Sequence, residues 1–110
     1  MNLTYITGNH NKAKFIQQNF DLSFEIMNFD LDEIQSLNPK LIAEHKVKQA
    51  YELVGQPVFV EDTCLFIDEL GNLPGPFIKF FITELGLKKI CNLVAKNRNA
   101  TAVSTVGYFD

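Results

Sequence analysis

Three observations predict an α/β fold for this chain. Its 110 residues are enough for one domain and too few for two. Short runs rich in β-branched and aromatic residues alternate with segments of helical periodicity, and the first such pair is joined by a tight turn at Gly8-Asn9. A hydrophobic fraction of 46% that includes ten Phe is typical of a packed core rather than of a disordered segment.

The first half of the chain contains two predicted strands and two predicted helices. Alternating apolar and polar residues predict strands over residues 3–7 and 24–29. A helix begins at Asn11, and its residues available for burial are Ala13, Phe15, Ile16 and Phe20. The acidic residues 30–34 are interpreted as a loop. The clearest helix starts at Asn38-Pro39, a capping residue followed by a proline, and ends before Gly55.

The second half begins with the apolar run 58–60, which predicts a buried strand that ends at two carboxylates. Residues 65–68 are a further extended segment, and the turn at 70–72 makes a hairpin plausible. Two short helices come next, at 77–84 and 87–96, and the β-rich run 101–109 predicts a last strand.

The net charge narrows the classes of molecule that the protein is expected to bind. A net charge of −3 provides no basic surface for a nucleic-acid polymer, although a phosphate-bearing small molecule remains compatible with ten Lys and Arg.

Cys64 and Cys91 lie far apart and form no CxxC pair, which favours reduced thiols. The sequence shows no signal peptide and no apolar run of the ~20 residues that a membrane helix needs, so we expect a cytoplasmic protein without a membrane partner.

The segment 7–12 joins a strand to a helix, where backbone amides and the positive helix end favour an anion. Gly8 permits the tight turn, and Lys12 adds a full positive charge. The segment is not a P-loop, because the second glycine and the Lys-Ser/Thr pair are missing. An ordinary turn with a surface lysine is the alternative, and on these residues alone His10 and Asn11 are more simply turn residues than ligands.

Carboxylates are the candidate metal ligands, since magnesium prefers hard oxygen donors and usually takes one or two carboxylates with substrate phosphates. The carboxylates of an acidic loop are ordinarily just solvated. A carboxylate at the end of an apolar strand is harder to explain without a functional role. Glu61 and Asp62 should point to opposite faces if the strand continues through them. The full set of candidates is Asp30, Asp32, Glu33, Glu61 and Asp62.

Other candidates are weaker on sequence grounds. Lys79, in an aromatic tract, is either a lysine whose stem packs at the edge of apolar surface or a phosphate ligand. Lys46 lies on the long helix, where charges usually form the solvated face. Cys64 has no obvious base beyond His10 and His45, which favours a buried structural cysteine over a nucleophile.

Two motifs resemble the inosine triphosphate pyrophosphatase family, whose members hydrolyse non-standard purine nucleoside triphosphates. The first is the turn 7–12, Thr-Gly-Asn-His-Asn-Lys. The second joins residues 60–65, Val-Glu-Asp-Thr-Cys-Leu, to residues 71–79, Gly-Asn-Leu-Pro-Gly-Pro-Phe-Ile-Lys, and is closest to the eukaryotic-type branch. In element order the resemblance runs from Leu3 to Phe109. It implies a mixed twisted sheet flanked by helices.

The resemblance also implies a function and a set of site residues. Water would attack the α-phosphorus of ITP, dITP or XTP and release a nucleoside monophosphate and pyrophosphate, with Mg²⁺ as cofactor. Glu33 and Asp62 would bind the metal, and Asp62 would also accept the proton, while the residues alone leave open whether Glu61 or Asp62 takes it. The positions that would contact substrate are Thr7, Gly8, Asn9, His10, Asn11, Lys12, Lys46, Asp62, Thr63 and Lys79. A homodimer is an oligomeric state common in the family.

The chain departs from the family pattern in one respect. The second half of family members carries an aromatic-Gly-x-Asp-Pro segment and a Ser-His-Arg segment that enclose the purine base, and neither occurs here. We therefore expect an incomplete inosine triphosphate pyrophosphatase-like domain over residues 1–110, with its C-terminal half missing and its last strand cut off. The alternatives are a catalytically inactive nucleotide-binding or dimer-forming remnant and a purely structural α/β domain.

Overall fold

A computed structural model describes residues 2–110. Along this range the sequence folds into alternating strands and helices, as the periodicity predicts. The elements are β1 (Thr4–Ile6), α1 (His10–Asn19), β2 (Glu25–Met27), α2 (Pro39–Val54), β3 (Val58–Ile67), a 3-10 turn (Asp68–Leu70), β4 (Pro74–Gly75), α3 (Ile78–Leu85), α4 (Leu87–Leu93) and β5 (Ala100–Phe109).

The strands form a mixed sheet in the order β2-β1-β3-β4, and β5 also pairs with β3. β1 runs parallel to β2 and to β3, where Tyr5 is opposite Ile26 on one side and Phe59 on the other. β3 and β4 are antiparallel, with Leu65 opposite Gly75, which confirms the predicted hairpin. The α/β class and the mixed sheet with helices are thus as expected.

The boundary after the apolar run 58–60 was predicted wrongly. Sequence analysis ended a strand near Val60 and put a separate extended segment after it, whereas β3 is one strand of ten residues from Val58 to Ile67. Glu61 and Asp62 consequently lie inside a strand and not at its end. The charged pair interrupts the apolar pattern, but β-pairing on both sides keeps the backbone extended.

Contacts divide the chain into two compact units, and β3 and β5 each contribute residues to both. The first unit contains residues 2–35, 40–61 and 106–110, and the second contains residues 36–39 and 62–105. A single domain over residues 1–110 stays a prediction.

In the first unit, strand alternation sends neighbouring side chains into two separate apolar clusters. Ile6, Val58 and Val60 pack with Val47 and Ala50 of α2. The opposite face of the same strands is covered by α1, and the residues packed there are Leu3, Tyr5, Ala13 and Phe59. Helices on both faces of β1 and β3 therefore hold these two strands, and the turn after β1, in place.

Gly107 of β5 completes the first of these clusters. A Cβ atom at this position would lie 3.1 Å from the carbonyl oxygen of Ala43 and 3.2 Å from Cγ2 of Val60. Only a residue without a side chain lets β5 come this close to α2.

Two apolar residues assigned to burial on α1 are exposed. Ala13 is 1% exposed, as expected, but Phe15 and Phe20 are 61% and 59% exposed. In helical projection Phe15 lies away from Ala13, so the short helix can bury only one narrow stripe.

The second unit has its own small core. Ile67 packs with Ile90 and Val94 around the end of β3 and α4. Glu69 closes the turn after α4, because its carboxylate accepts hydrogen bonds from the backbone amides of Ala95 at 2.7 Å and of Lys96 and Asn97 at 3.1 Å and 3.3 Å. No helix between residues 2 and 110 has both the length and the apolar content required to span a membrane.

Candidate functional site

The turn after β1 is built by hydrogen bonds among its own residues. The amide of Asn9 donates to Oγ1 of Thr7 at 3.0 Å, and the amide of Lys12 donates to Oδ1 of Asn9 at 3.0 Å. Asn9 is thus the N-cap of α1. The remaining amides of the first helical turn have no carbonyl partner within the helix, which leaves them available to an anion.

Gly8 is constrained by its neighbour in the next loop. A Cβ atom on Gly8 would lie 3.2 Å from Oδ1 of Asn28. The Thr7 amide donates to the carbonyl oxygen of Met27 at 2.9 Å, so the turn is fixed to the end of β2. His10 and Asn11 begin α1 and are exposed. All six residues of the predicted phosphate-binding turn therefore belong to one ordered local structure.

Lys12 is held at its ammonium as well as at its backbone. Nζ of Lys12 lies 2.6 Å from Oε2 of Glu61, whose side chain is only 9% exposed. The Lys12 side chain is 31% exposed and can still meet a ligand. The structure thus brings a candidate phosphate ligand together with a carboxylate that sequence analysis considered but did not assign to the site.

Glu33 and Lys46 form a second ion pair in the first unit. Nζ of Lys46 lies 2.8 Å from Oε1 of Glu33, with the side chains 16% and 52% exposed. The loop carrying Glu33 is anchored on α2, because the amide of Asp32 donates to Oε1 of Gln49 at 2.7 Å and Leu31 packs against the first core cluster. The predicted metal ligand and the predicted substrate ligand are therefore neighbours.

The remaining predicted residues belong to the second unit. Asp62 is half-buried and Thr63 exposed on β3, while Cys64 beside them is 1% exposed, as expected for a structural cysteine. Lys79 is exposed in the first turn of α3, and its carbonyl oxygen accepts a hydrogen bond from Thr83. In this unit Asp62 and Thr63 are adjacent on one strand, and Lys79 comes from a separate helix.

The carboxylates suit magnesium by their chemistry. Within residues 2–110 no three His, Cys, Asp or Glu side chains are grouped closely enough to hold a metal unaided. Magnesium does not require such a group, since it commonly keeps waters and combines one or two carboxylates with phosphate oxygens. Glu33 and Asp62 provide oxygen donors of this kind, and Glu33 is 52% exposed.

Two contacts of the site were not predicted. Sequence spacing gives no indication that Glu61 pairs with Lys12, because 48 intervening residues separate the helix from the strand. The pairing of Lys46 with Glu33 was likewise not predicted, because the family resemblance proposed the two residues separately, one for the substrate and one for the metal. A buried-strand glutamate beside an aspartate was the only available signal, and it does not identify a partner.

Comparison with known proteins identifies relatives for nearly the entire chain. The model of the Ham1 family matches residues 3–110. An inosine triphosphate pyrophosphatase of Candida glabrata is 42% identical over 98% of this chain and 62% of its own length. One of Saccharomyces cerevisiae is 39% identical over 98% of this chain and 61% of its own length. The chain thus spans about three fifths of the length of these relatives.

Solved structures agree on the fold. A HAM1 protein from Coxiella burnetii superposes with a TM-score of 0.76 at 18% identity, covering 98% of this chain and 62% of its own. A Ham1 protein from Staphylococcus aureus has a TM-score of 0.66 at 18% identity, with 99% and 63% covered. The matching sequence model and the yeast relatives lead to one conclusion: the chain belongs to the Ham1 family.

Proposed function

We propose that the protein hydrolyses noncanonical purine nucleoside triphosphates to the monophosphate and pyrophosphate, in a reaction that depends on magnesium. Family membership supports this assignment, and relatives at 42% and 39% identity are named inosine triphosphate pyrophosphatases. The observation that carries it in this chain is the capped turn 7–12, in which the amide of Lys12 donates to Oδ1 of Asn9 and the Lys12 side chain stays 31% exposed. Such a turn is suited to the phosphates of a nucleotide.

Substrate binding and proton transfer are carried out by different residues. The turn 7–12 binds phosphate oxygens through its backbone amides and Lys12. The substrate is also contacted by Lys46, Lys79 and Thr63. Asp62 orients the attacking water and accepts its proton, a role in which a well-positioned carboxylate typically contributes about 10²- to 10⁴-fold. Breaking the bond between the α-phosphorus and the bridging oxygen then releases pyrophosphate.

Magnesium would be held by Glu33 and Asp62. When bound, the ion neutralises charge on the phosphate oxygens, which is the main electrostatic demand of phosphoryl transfer. Glu33 is the more accessible donor of the two, since its side chain is 52% exposed whereas Asp62 is half-buried. Lys46 is itself a cation that can then contact phosphate.

Incubation of residues 1–110 with inosine triphosphate and magnesium tests the proposal. We expect inosine monophosphate and pyrophosphate in equal amounts, measured by anion-exchange chromatography. Asp62→Asn should lower the rate at least about 100-fold. Asp21→Asn, which alters an exposed residue of the same type, should leave it unchanged. Equal rates for the two variants would rule out the assigned role of Asp62.

A second candidate is a catalytically inactive module that binds nucleotide or phosphate. It is favoured by the capped turn 7–12, which can hold a phosphate through its amides and Lys12 without any catalytic carboxylate. Calorimetric titration with inosine triphosphate and magnesium separates the candidates. Saturable binding that is weakened by Lys12→Met, without product formation, would favour the binding module.

Assembly and cellular location stay predictions. A homodimer is proposed from the family resemblance, and sedimentation velocity of the purified chain measures it directly. A cytoplasmic location is likewise proposed from the composition, and microscopy of a tagged chain tests it.

A further inference from the structure

Both lysines of the first unit that are proposed to contact phosphate have a carboxylate as counter-ion. Lys12 pairs with Glu61 at 2.6 Å, and Lys46 pairs with Glu33 at 2.8 Å. Lys12 is the only Lys or Arg of the turn 7–12. The fixed positive charge that would attract an anion to this turn is therefore already balanced by Glu61.

The two carboxylates differ in how easily they can move away from their lysines. Glu33 lies on a loop with its side chain 52% exposed, so its carboxylate can turn into water. Glu61 is 9% exposed and lies on β3 directly after Val60, which is 0% exposed. Turning this carboxylate away from Lys12 would require β3 to shift, or would leave the carboxylate without its cation in a site largely shielded from water, and both are costly. Glu61 therefore stays beside Lys12 when an anion arrives.

A phosphate that reaches Lys12 must share its ammonium with Glu61. The ammonium of Lys12 lies 2.6 Å from Oε2 of Glu61, so a phosphate bound at the same ammonium comes close to that carboxylate. The phosphate and the carboxylate would then carry like charges a few ångströms apart, where repulsion is substantial at the effective dielectric constant near a protein surface. A ligand with many contacts tolerates this repulsion, whereas a small anion does not.

We propose that Glu61 is a fixed counter-ion that competes with phosphate for the ammonium of Lys12, and so lowers the affinity of the turn 7–12 for small free anions such as pyrophosphate. The inference rests on the proposed function, in which this turn binds the phosphates of a nucleotide. Glu61 thereby weakens the retention of the pyrophosphate that the reaction releases. It acts through Lys12 and sets the anion affinity of the turn 7–12.

Isothermal titration of pyrophosphate into the full chain, with EDTA present, tests the proposal. Glu61→Gln keeps the side-chain volume and removes the charge, and we expect it to bind pyrophosphate about tenfold more tightly than the unchanged protein. Glu61→Met removes the charge without an amide and should shift affinity in the same direction. Glu44→Gln is the matched control, because it removes the carboxylate charge from an exposed ion pair in which Glu44 lies 2.9 Å from Lys48. It should change affinity less than about twofold.

The same titration in a Lys12→Met background identifies the route of the effect. If Glu61 acts by competing for Lys12, the gain from Glu61→Gln disappears there. A gain that persists without Lys12, or a Glu61→Gln affinity equal to or below that of the unchanged protein, would overturn the proposal. Thermal unfolding monitored by circular dichroism verifies that each variant is folded.

Inosine triphosphate hydrolysis is measured in parallel so that the two proposals can fail separately. Hydrolysis with no gain in Glu61→Gln overturns the role of Glu61 alone. A gain in Glu61→Gln without hydrolysis by the unchanged protein overturns the enzymatic function and keeps the role of Glu61. An absence of pyrophosphate binding in every variant overturns the role of Glu61 and the assignment of the turn as an anion site.

Discussion

The ammonium of Lys12 lies 2.6 Å from the carboxylate of Glu61, and the carboxylate is the more deeply buried partner, at 9% against 31% exposure. A strand residue thus fixes the end of a flexible side chain from the first turn of a helix. Holding a lysine in one rotamer costs about 2 kcal/mol of side-chain entropy, and the attraction to Glu61 offsets part of this cost in the folded protein. The pair also links the stability of the fold to the predicted phosphate site.

Removal of Lys12 should destabilise the protein. In Lys12→Met the buried oxygen of Glu61 loses its cation, and we expect the free energy of unfolding to fall by about 1–3 kcal/mol in urea titrations. Lys14→Met, an exposed lysine of the same helix, should stay within about 0.5 kcal/mol of the unchanged protein. The double variant Lys12→Met/Glu61→Gln should recover part of the loss. Equal stability of the two single lysine variants would show that the ion pair contributes nothing.

Neutralisation of Glu33 should affect magnesium-dependent binding rather than stability. Its pair with Lys46 is exposed on the Glu33 side, and exposed ion pairs contribute only about 0–1 kcal/mol. We expect Glu33→Gln to unfold near the same urea concentration as the unchanged protein. The increase in inosine triphosphate affinity on adding magnesium should be largely lost, as measured by calorimetry. Glu44→Gln should retain that increase, and its loss there would point to a general charge effect.

Local patterns predicted most elements of the fold, but they divided β3 and extended the last helix to residue 96, whereas α4 ends at Leu93. The proline after Asn38 and the glycine at position 55 gave the limits of the long helix, because both residues have strong backbone preferences. The turn at Gly8 was predictable for the same reason. The continuation of β3 through Glu61 was not, since it depends on pairing with strands that are distant in sequence.

Substitution of Gly75 should lower the free energy of unfolding for two reasons. Its φ is +54°, and a Cβ atom there would lie 2.7 Å from the carbonyl oxygen of Asn72. Gly71 has a similar φ of +70° with nothing within 4 Å, so it isolates the conformational cost alone. We expect Gly71→Ala to lower the free energy of unfolding by about 1 kcal/mol and Gly75→Ala by about 2–4 kcal/mol. Equal costs in urea titrations would mean that the close approach to Asn72 is easily relieved.

Glu69 should stabilise the second unit through the turn after α4. Its carboxylate accepts from three successive backbone amides, those of Ala95, Lys96 and Asn97. In Glu69→Ala the three amides can donate only to water. We expect the free energy of unfolding to fall by about 1–2 kcal/mol and amide hydrogen exchange at these three positions to become faster. Glu84→Ala, at an exposed position of α3, serves as the control. Unchanged exchange in Glu69→Ala would contradict the importance of these bonds.

The candidate site was predictable in its parts and not in its contacts. Residue type and the family motifs singled out the turn 7–12, Glu33 and Lys46 individually. The pairs Lys12–Glu61 and Lys46–Glu33 arise because α1, α2 and the loop before α2 fold onto β1 and β3, and such packing has no short-range signature. Sequence reasoning therefore proposed Glu33 and Lys46 separately and considered Glu61 only as an alternative to Asp62 for accepting the proton.

The most direct test of the proposed function is hydrolysis of inosine triphosphate in heavy-oxygen water, with magnesium and the full chain, and mass spectrometry of the products. Attack on the α-phosphorus places the label in inosine monophosphate and none in pyrophosphate. We expect this distribution, with label incorporation abolished in Asp62→Asn. Label in pyrophosphate, release of orthophosphate, or no turnover at all would contradict the proposed function.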